Sequence, residues 1–389
     1  MNADTSDGFI LAVNVGSTSL RHALYRVRAA RLQPGTVVRG HRQQLDGVRD
    51  FTQALEDLRE DMKQRSHGWP LLAVAHRVVH GGPQVHAPVL VSPLVMRHLE
   101  ACESMAPLHQ PFNLMGIRLF EEYWPSIPQV ACPDTAFHVN LPAAESAFAL
   151  PRALREQGYR RYGFHGLSCE SALRLLHERG QDAKGRLVLA HLGSGSSVTA
   201  IHKGVSVATS MGFSTLDGLV MGTRCGSLDA GVILSLMDRG WTRSQLQDML
   251  YLDSGLKGLS GISGDFRILR ARATLQARFA IEVYVRRLLR ETGALVACLG
   301  GLDDIVFTGG AGEADARLRA EVCARLTWLG LRIDSGLNDE ADVSKSATPL
   351  ASISAKDSPI RAWVAAADEN RVAAEQALAC LQSLSSPAH

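Results

Sequence analysis

The sequence has little that would tie it to a membrane, a nucleic acid or an oxidising compartment. No apolar run in its 389 residues approaches the ~18–20 needed to span a bilayer. The polar, acidic start MNADTSDGF is not expected to be a secretory signal. Net charge is only +2, and no tract of lysine and arginine with interleaved aromatics occurs, so nucleic acid is not an expected partner. The seven cysteines are an odd set scattered from Cys102 to Cys380 with no CxxC pair. That argues against a disulfide framework and a zinc site, and predicts a reducing, cytoplasmic setting. GxxxxGK[ST] and GxGxxG are both missing, so the Walker and Rossmann readings fail.

What remains is a globular composition, 46% hydrophobic and 21% charged, in a chain longer than one core usually serves. Two domains are the expectation. The stretch LAVNVGSTSL, Leu11 to Leu20, reads as a buried strand that ends in Asn14, Gly16, Ser17, Thr18 and Ser19. Such a turn is either an ordinary β-turn or a phosphate cradle, because small residues offer backbone N–H and hydroxyl donors without bulk. The same grammar returns about half the chain later in LVLAHLGSGSSVTAIHKG, Leu187 to Gly204, where HLGSGSSV aligns with NVGSTSL. Two strand–turn–strand units predict a duplicated architecture, with a glycine-rich hairpin from each domain facing a shared cleft and gripping a polyphosphate. A third glycine site, FTGGAGE, follows an apolar strand over Ile305 to Phe307. It leads into a helix whose Leu318, Val322, Leu326 and Leu329 keep three-to-four spacing, the setting in which a nucleotide lies on backbone N–H groups.

Further strings crowd charge, histidine and glycine together: AHRVVHGG with Arg77, APLHQPFN with His109, PDTAFH with Asp134, RRYGFHGLS with His165, and MGTRCGSLDAG with Arg224 and Asp229. One such residue alone is ordinarily a satisfied structural group. Five strings rich in arginine and histidine and poor in carboxylates point to an anionic ligand held by cations.

Taken in order, AHRVVHGG, APLHQPFNLMGI, PDTAFH, RRYGFHGLS, SMGFSTLDGLVMGTRCGSLDAG, SGISGDFR and FTGGAGE resemble the motifs of the acetate kinase family, within the acetate and sugar kinase, Hsp70 and actin superfamily. The resemblance runs over nearly the whole chain. It implies an α/β, two-domain duplicated ribonuclease H-like (actin-like ATPase) fold with an interdomain active-site cleft that closes on substrate. It also implies a cytoplasmic homodimer, ATP as donor with Mg2+ (or Mn2+), and transfer of the γ-phosphoryl group to a short carboxylate. The duplication then predicts an N-terminal domain of 1–152 plus 366–389 and a nucleotide-binding domain of 153–365.

Residue by residue, the resemblance puts Asn14, Ser17, Ser19 and Arg21 on the first phosphate hairpin, with Asn14 and Glu369 at the metal. Arg77, Asp134, His165 and Arg224 take catalytic positions, and His109 another active-site position. His191, Leu192, Gly193, Ser194 and Gly195, then Asp265, Phe266 and Arg267, then Gly310, Ala311, Gly312, Glu313 and Ala314, fall on nucleotide positions. Arg77, Val79, Leu108, Phe164 and Thr215 fall on the substrate pocket. The chemistry agrees with these residue types: a carboxylate is already ionised at neutral pH and needs no general base. Phosphoryl transfer asks chiefly for alignment and charge neutralisation.

The chain also departs from the family pattern. Arg21 stands where the family has Lys, Ser194 where it has Asn, Ala314 where it has Asn, and Thr215 where members commonly have Pro. The transfer machinery is kept, so an active kinase is expected, with acetate as acceptor; propionate or butyrate kinase and a catalytically silent nucleotide-binding paralogue are the alternatives. The polar stretch Asp342 to Pro359 reads as a loop or edge strand, and the tail SLSSPAH as frayed.

Overall fold

The first apolar run becomes β1 (Gly8–Val15), which returns antiparallel as β2 (Ser19–Arg28) with Val15 opposite Leu20. The structure, a computed structural model, describes residues 7–45, 47–66, 68–181, 185–343 and 348–385. The first six residues, 344–347 of the polar stretch and 386–389 of the tail, on which expectations were stated above, lie outside the described residues. The chain divides into two compact units, 1–139 with 368–389, and 140–367.

In the first unit, β2 also carries β3 (Arg31–Leu32) and β4 (Val38–Gln43). On its other side β1 runs parallel to β5 (Leu71–Val78), and β5 parallel to β7 (Gln129–Pro133). The edge strand β6 (Val89–Leu90) is antiparallel to β7. Parallel neighbours require crossovers, and helices Gly47–Ser66 and Gln110–Tyr123 supply them. β1 reads as an unbroken apolar run because both its faces are covered. Phe9, Leu11 and Val13 meet Leu55, Leu58 and Phe120 in one core cluster, where full burial of each large side chain contributes about 1.5–3 kcal/mol. The last helix, Glu369–Ser385, returns to pack on β1 and β5.

The second unit repeats this plan. β8 (Arg186–Leu192) and β9 (Ser196–His202) form the hairpin, with β10 (Val205–Thr209) beyond β9. β8 is parallel to β11 (Asp304–Thr308), β11 to β13 (Arg361–Ala365), and β12 (Leu350–Ser352) is the antiparallel edge. With β4 set aside, β3-β2-β1-β5-β7-β6 and β10-β9-β8-β11-β13-β12 are the same topology. The duplication read from two short Gly-Ser strings is therefore present in the sheets. β12 makes part of the polar stretch an edge strand, as expected.

Helix Leu275–Leu299 covers the second sheet. The Thr274 hydroxyl accepts from Ala277 N at its start, and Gly300, in the left-handed conformation, ends it. The helix read from Leu318 and Val322 spans Ala316–Ala324. It is shorter than the spacing predicts: Leu326 lies past its end and Leu329 in a 3-10 turn, Thr327–Leu329.

Candidate active site

Because β1, β5 and β7 are parallel, their C-terminal ends share one edge of the first unit. There the chain leaves Asn14, Arg77 and Asp134. Arg77 meets Asp134 as a fork, Nε to both carboxylate oxygens at 3.2 Å and Nη2 to Oδ2 at 2.7 Å. Its Nη1 lies 3.0 Å from Oε2 of Glu369, the first residue of the last helix. Burial acts to lower the Arg77 pKa, but the Asp134 and Glu369 carboxylates outweigh it and raise it above the usual arginine value. The Asn113 amide ties the edge together, donating to the Val15 carbonyl at 2.8 Å and accepting from Val79 N at 3.0 Å.

The first hairpin is closed by Gly16 N donating to the Ser19 carbonyl at 2.8 Å, which leaves Ser17 exposed at its tip. Arg21 is exposed, its Nε 3.3 Å from His41 Nε2. Val79 is buried, Leu108 half-buried, and His109 precedes helix Gln110–Tyr123, its carbonyl accepting from Asn113 N at 3.0 Å.

A divalent cation fits this donor set. Glu369 and Asn14 offer hard oxygen ligands, the kind Mg2+ takes while keeping waters and substrate phosphates. Among the described residues no group of three or more His, Cys, Asp or Glu side chains could hold a metal unaided. The ion would therefore need further oxygens from water or phosphate.

In the second unit the parallel ends of β8, β11 and β13 do the corresponding work. Gly193 N donates to the Gly195 carbonyl at 3.0 Å, closing the second hairpin. Gly309, with φ 76°, lies against the Leu192 backbone, where a Cβ would come within 2.9 Å of the Leu192 carbonyl oxygen. A cavity of about 550 Å³ opens here, lined by Gly193, Ser194, Asp265, Phe266, Arg267, Gly310, Ala311 and Ala314 of the expected nucleotide set. Leu192 and Gly312 are buried and do not line it. Nor does Glu313, whose Oε1 accepts from Gly309 N at 3.0 Å and Thr308 Oγ1 at 3.3 Å; it braces the start of a short helix, Gly309–Ala314, which stands where the sequence predicts a glycine turn. Asp265 caps helix Phe266–Arg272, accepting from Arg267 N at 2.8 Å and from Arg267 Nη2 at 2.6 Å.

The cavity walls also include Gly264, Arg270, Asp315 and Ala316, which sequence reasoning missed. Arg270 donates to Asp315 at 2.9 Å and to Glu321 at 3.2 Å. Fully buried Arg319 holds the far end of the glycine-rich helix through the carbonyls of Gly312 (2.9 Å) and Glu313 (2.8 Å). Both arginines sit in ordinary amphipathic stretches, so no local signal marks them.

Beside the hairpin lie His165, His191 and Arg224. The two imidazoles stack with centroids 4.1 Å apart. His165 Nδ1 is 2.9 Å from Ser197 Oγ, and His191 Nδ1 2.8 Å from Ser168 Oγ. His165 holds φ 58°, a strained conformation for a residue with a side chain, worth roughly 1–3 kcal/mol, at the start of helix Gly166–Glu178. Gly195 sits directly against both His165 and Arg224: an added Cβ would lie 3.2 Å from His165 Nε2 and 2.5 Å from Arg224 Nη2. Arg224 is only 7% exposed and donates through Nη1 to the Thr215 carbonyl at 2.7 Å. Among the described residues no carboxylate pairs with it, and burial pulls its pKa down to about 10. Phe164 and Thr215 are buried in this unit, and the Thr215 hydroxyl has no hydrogen-bond partner among the described residues.

A twice-repeated sheet of this topology, with a ligand-sized cavity at a glycine hairpin and a charged, buried arginine beside it, defines a duplicated α/β protein of the actin-like ATPase fold. The sequence profile of the Acetokinase family matches residues 9–375, and the chain belongs to that family. An acetate kinase of Rhodopseudomonas palustris is 44% identical over 385 residues, covering 93% of this chain and 95% of the relative. The crystal structure of Porphyromonas gingivalis acetate kinase is similar with a TM-score of 0.83 at 31% identity, covering 96% of this chain and 100% of that one. A propionate kinase structure from Francisella tularensis has a TM-score of 0.84 at 31% identity, covering 95% and 98%.

Proposed function

We propose that the chain is an acetate kinase that moves the γ-phosphoryl group of ATP to acetate, giving acetyl phosphate and ADP, and runs the reaction in reverse. Membership of the family makes it a phosphotransferase with a carboxyl acceptor. The observation that carries the reading is Arg224, a buried cation that no carboxylate among the described residues neutralises. Such a charge is costly unless an anion arrives. Acetate is favoured over propionate because the more similar of the relatives described is an acetate kinase, at 44% identity against 31% for the propionate kinase.

The second unit binds ATP, with the base and ribose in the 550 Å³ cavity and the phosphates along Gly193, Ser194 and Gly310 of its lining, towards Gly195 next to it. Since Gly195 touches Arg224 and His165, the end of the polyphosphate chain lies where both can donate to its oxygens. Arg77 takes the acetate carboxylate, oriented by the fork from Asp134. The acetate oxygen attacks the γ-phosphorus, the bond to the bridging oxygen breaks, and ADP leaves. No proton need be removed from the nucleophile. Arg224 and His165 offset charge on the transferring group, the kind of preorganised donation worth about 10²–10³ in rate per donor. Glu369 and Asn14 would hold a magnesium ion (Mn2+ would serve), which would supply further charge neutralisation on the phosphates. A silent paralogue would gain nothing from keeping strain at His165 and a buried charge at Arg224.

The chain is read as a cytoplasmic homodimer. All seven cysteines are free thiols, which suits a reducing compartment. Helix Ala230–Asp238 has no buried residue, and its Val232, Leu234 and Met237 are exposed, an apolar surface that a second copy would cover. Light scattering should give twice the 42.0 kDa chain mass, and a chain-mass particle would overturn the dimer.

The reaction is tested in reverse. Purified protein given acetyl phosphate and Mg-ADP should form ATP, read by luciferase. Absence of ATP under conditions where ADP raises the melting temperature would overturn the assignment.

A further inference from the structure

The contact between Glu369 and Arg77 depends on where the last helix starts, and a neighbouring residue fixes that start. Asp368 immediately precedes helix Glu369–Ser385, and its Oδ1 accepts from Arg371 N at 3.2 Å, a helix cap. The same oxygen accepts from the Tyr25 hydroxyl at 3.0 Å, and Oδ2 accepts from Arg39 Nη2 at 2.6 Å. Tyr25 is fully buried in β2, and Arg39 lies on the adjacent β4. Both oxygens of Asp368 are thus bound to the sheet, and the sheet aims the first turn of the helix.

We infer that Tyr25 and Arg39, acting through Asp368, are positioning residues that hold the Glu369 carboxylate at its contact with Arg77. The inference rests on the roles proposed above for Glu369 and Arg77. None of the three touches a reacting group. Burial, with the Asp368 charge beside it, raises the Tyr25 phenol well above its ordinary pKa, so it remains a donor throughout the working range. Arg39 is half exposed, so its charge can be removed without opening the core. An Arg39 variant should therefore fold normally and misplace Glu369. Misplacement of about 1 Å can cost up to ~10²-fold in rate.

The test is a double-mutant cycle on the full-length protein with Arg39→Met and Glu369→Gln, reading kcat and KM for Mg-ATP and acetate. Melting temperature is followed with and without Mg-ADP. Arg39→Met is expected to lower kcat about tenfold or more with the ligand-free melting temperature held, and to shrink the rise given by Mg-ADP. In the Glu369→Gln background the same substitution should change kcat less than about twofold, because the group it positions is gone. Arg39→Lys should restore part of the loss. A full, additive loss in the Glu369→Gln background, or no loss in Arg39→Met alone, would overturn the inference. If Glu369→Gln itself leaves kcat and the Mg-ADP effect intact, the role given to Glu369 fails first, and this inference with it. Tyr25→Phe, which removes one hydroxyl and keeps the buried ring, is expected to repeat the Arg39→Met result.

Discussion

Gly195 lies against the Arg224 guanidinium, where a Cβ would stand 2.5 Å from Nη2. The φ of Gly195 is not in the left-handed region, so alanine fits the backbone there. The atoms that must move are side-chain ends, Arg224 Nη2 and, by a few tenths of an ångström, His165 Nε2 at 3.2 Å, which costs the fold little and the chemistry much. Gly195→Ala should keep its melting temperature within a couple of degrees and lose up to about 10²-fold in kcat. Retained activity would show that Arg224 is not held in place for catalysis.

Arg224 and Arg77 are opposites: one is buried with no counter-ion among the described residues, the other is flanked by two carboxylates. Arg224→Met should cost at least about 10²-fold in kcat/KM. It should leave stability unchanged or higher, because an uncompensated buried charge is removed. Arg77→Met should lose stability as well as activity, since it removes the cation that lies between two carboxylates, one of them on the buried Asp134. Melting curves beside steady-state kinetics separate the two outcomes, and equal destabilisation would contradict the contrast.

The Thr215 hydroxyl is buried and makes no hydrogen bond to the described residues. An unmade bond of this kind costs about 1–3 kcal/mol, so Thr215→Val should melt at the same temperature or higher. If the hydroxyl serves the acid, KM for acetate rises severalfold while kcat holds. A clear fall in melting temperature would mean that the hydroxyl is already bonded in the fold.

His76 is buried, its Nε2 2.6 Å from Gln129 Oε1. Burial pushes its pKa down to about 4, with the Gln129 bond opposing weakly. The unfolded chain protonates this imidazole near pH 6.5, so on acidification the unfolded state binds the proton first. His76 leaves stability undiminished above pH 6.5 and erodes it as pH falls towards 4, by at most about 1.4 kcal/mol per pH unit. Urea midpoints between pH 7 and 4.5 should fall less steeply in His76→Asn than in the parent. Parallel slopes would contradict the assignment.

The hairpins were legible because a tight turn between buried strands allows few residues, and Gly-Ser strings advertise it in both halves. The helix Ala316–Ala324 was legible from Leu318 and Val322, whereas its end was not, because spacing alone does not show where a helix yields to a 3-10 turn. The short helix Gly309–Ala314 reads as a turn in the sequence because its glycines carry no apolar period. The strings singled out Arg77 and Asp134 in one unit and His165 and Arg224 in the other as candidates, but could not show which arginine is flanked by carboxylates from both the sheet edge and the last helix. That depends on Glu369, nearly three hundred positions from Arg77 in the chain. Tyr25, Arg39 and the part played by Asp368 were invisible for the same reason: only the return of the last helix brings them together. Glu313 resembles a nucleotide contact by position, and its carboxylate accepts from the first N–H of its own short helix.

The most direct test of the account is to trap acyl phosphate with hydroxylamine, giving the protein Mg-ATP with acetate, propionate or butyrate in turn, alongside Arg224→Met. A hydroxamate signal strongest with acetate and lost in the variant is predicted. No signal with any acid from protein that still binds ATP, or full signal from Arg224→Met, would contradict it.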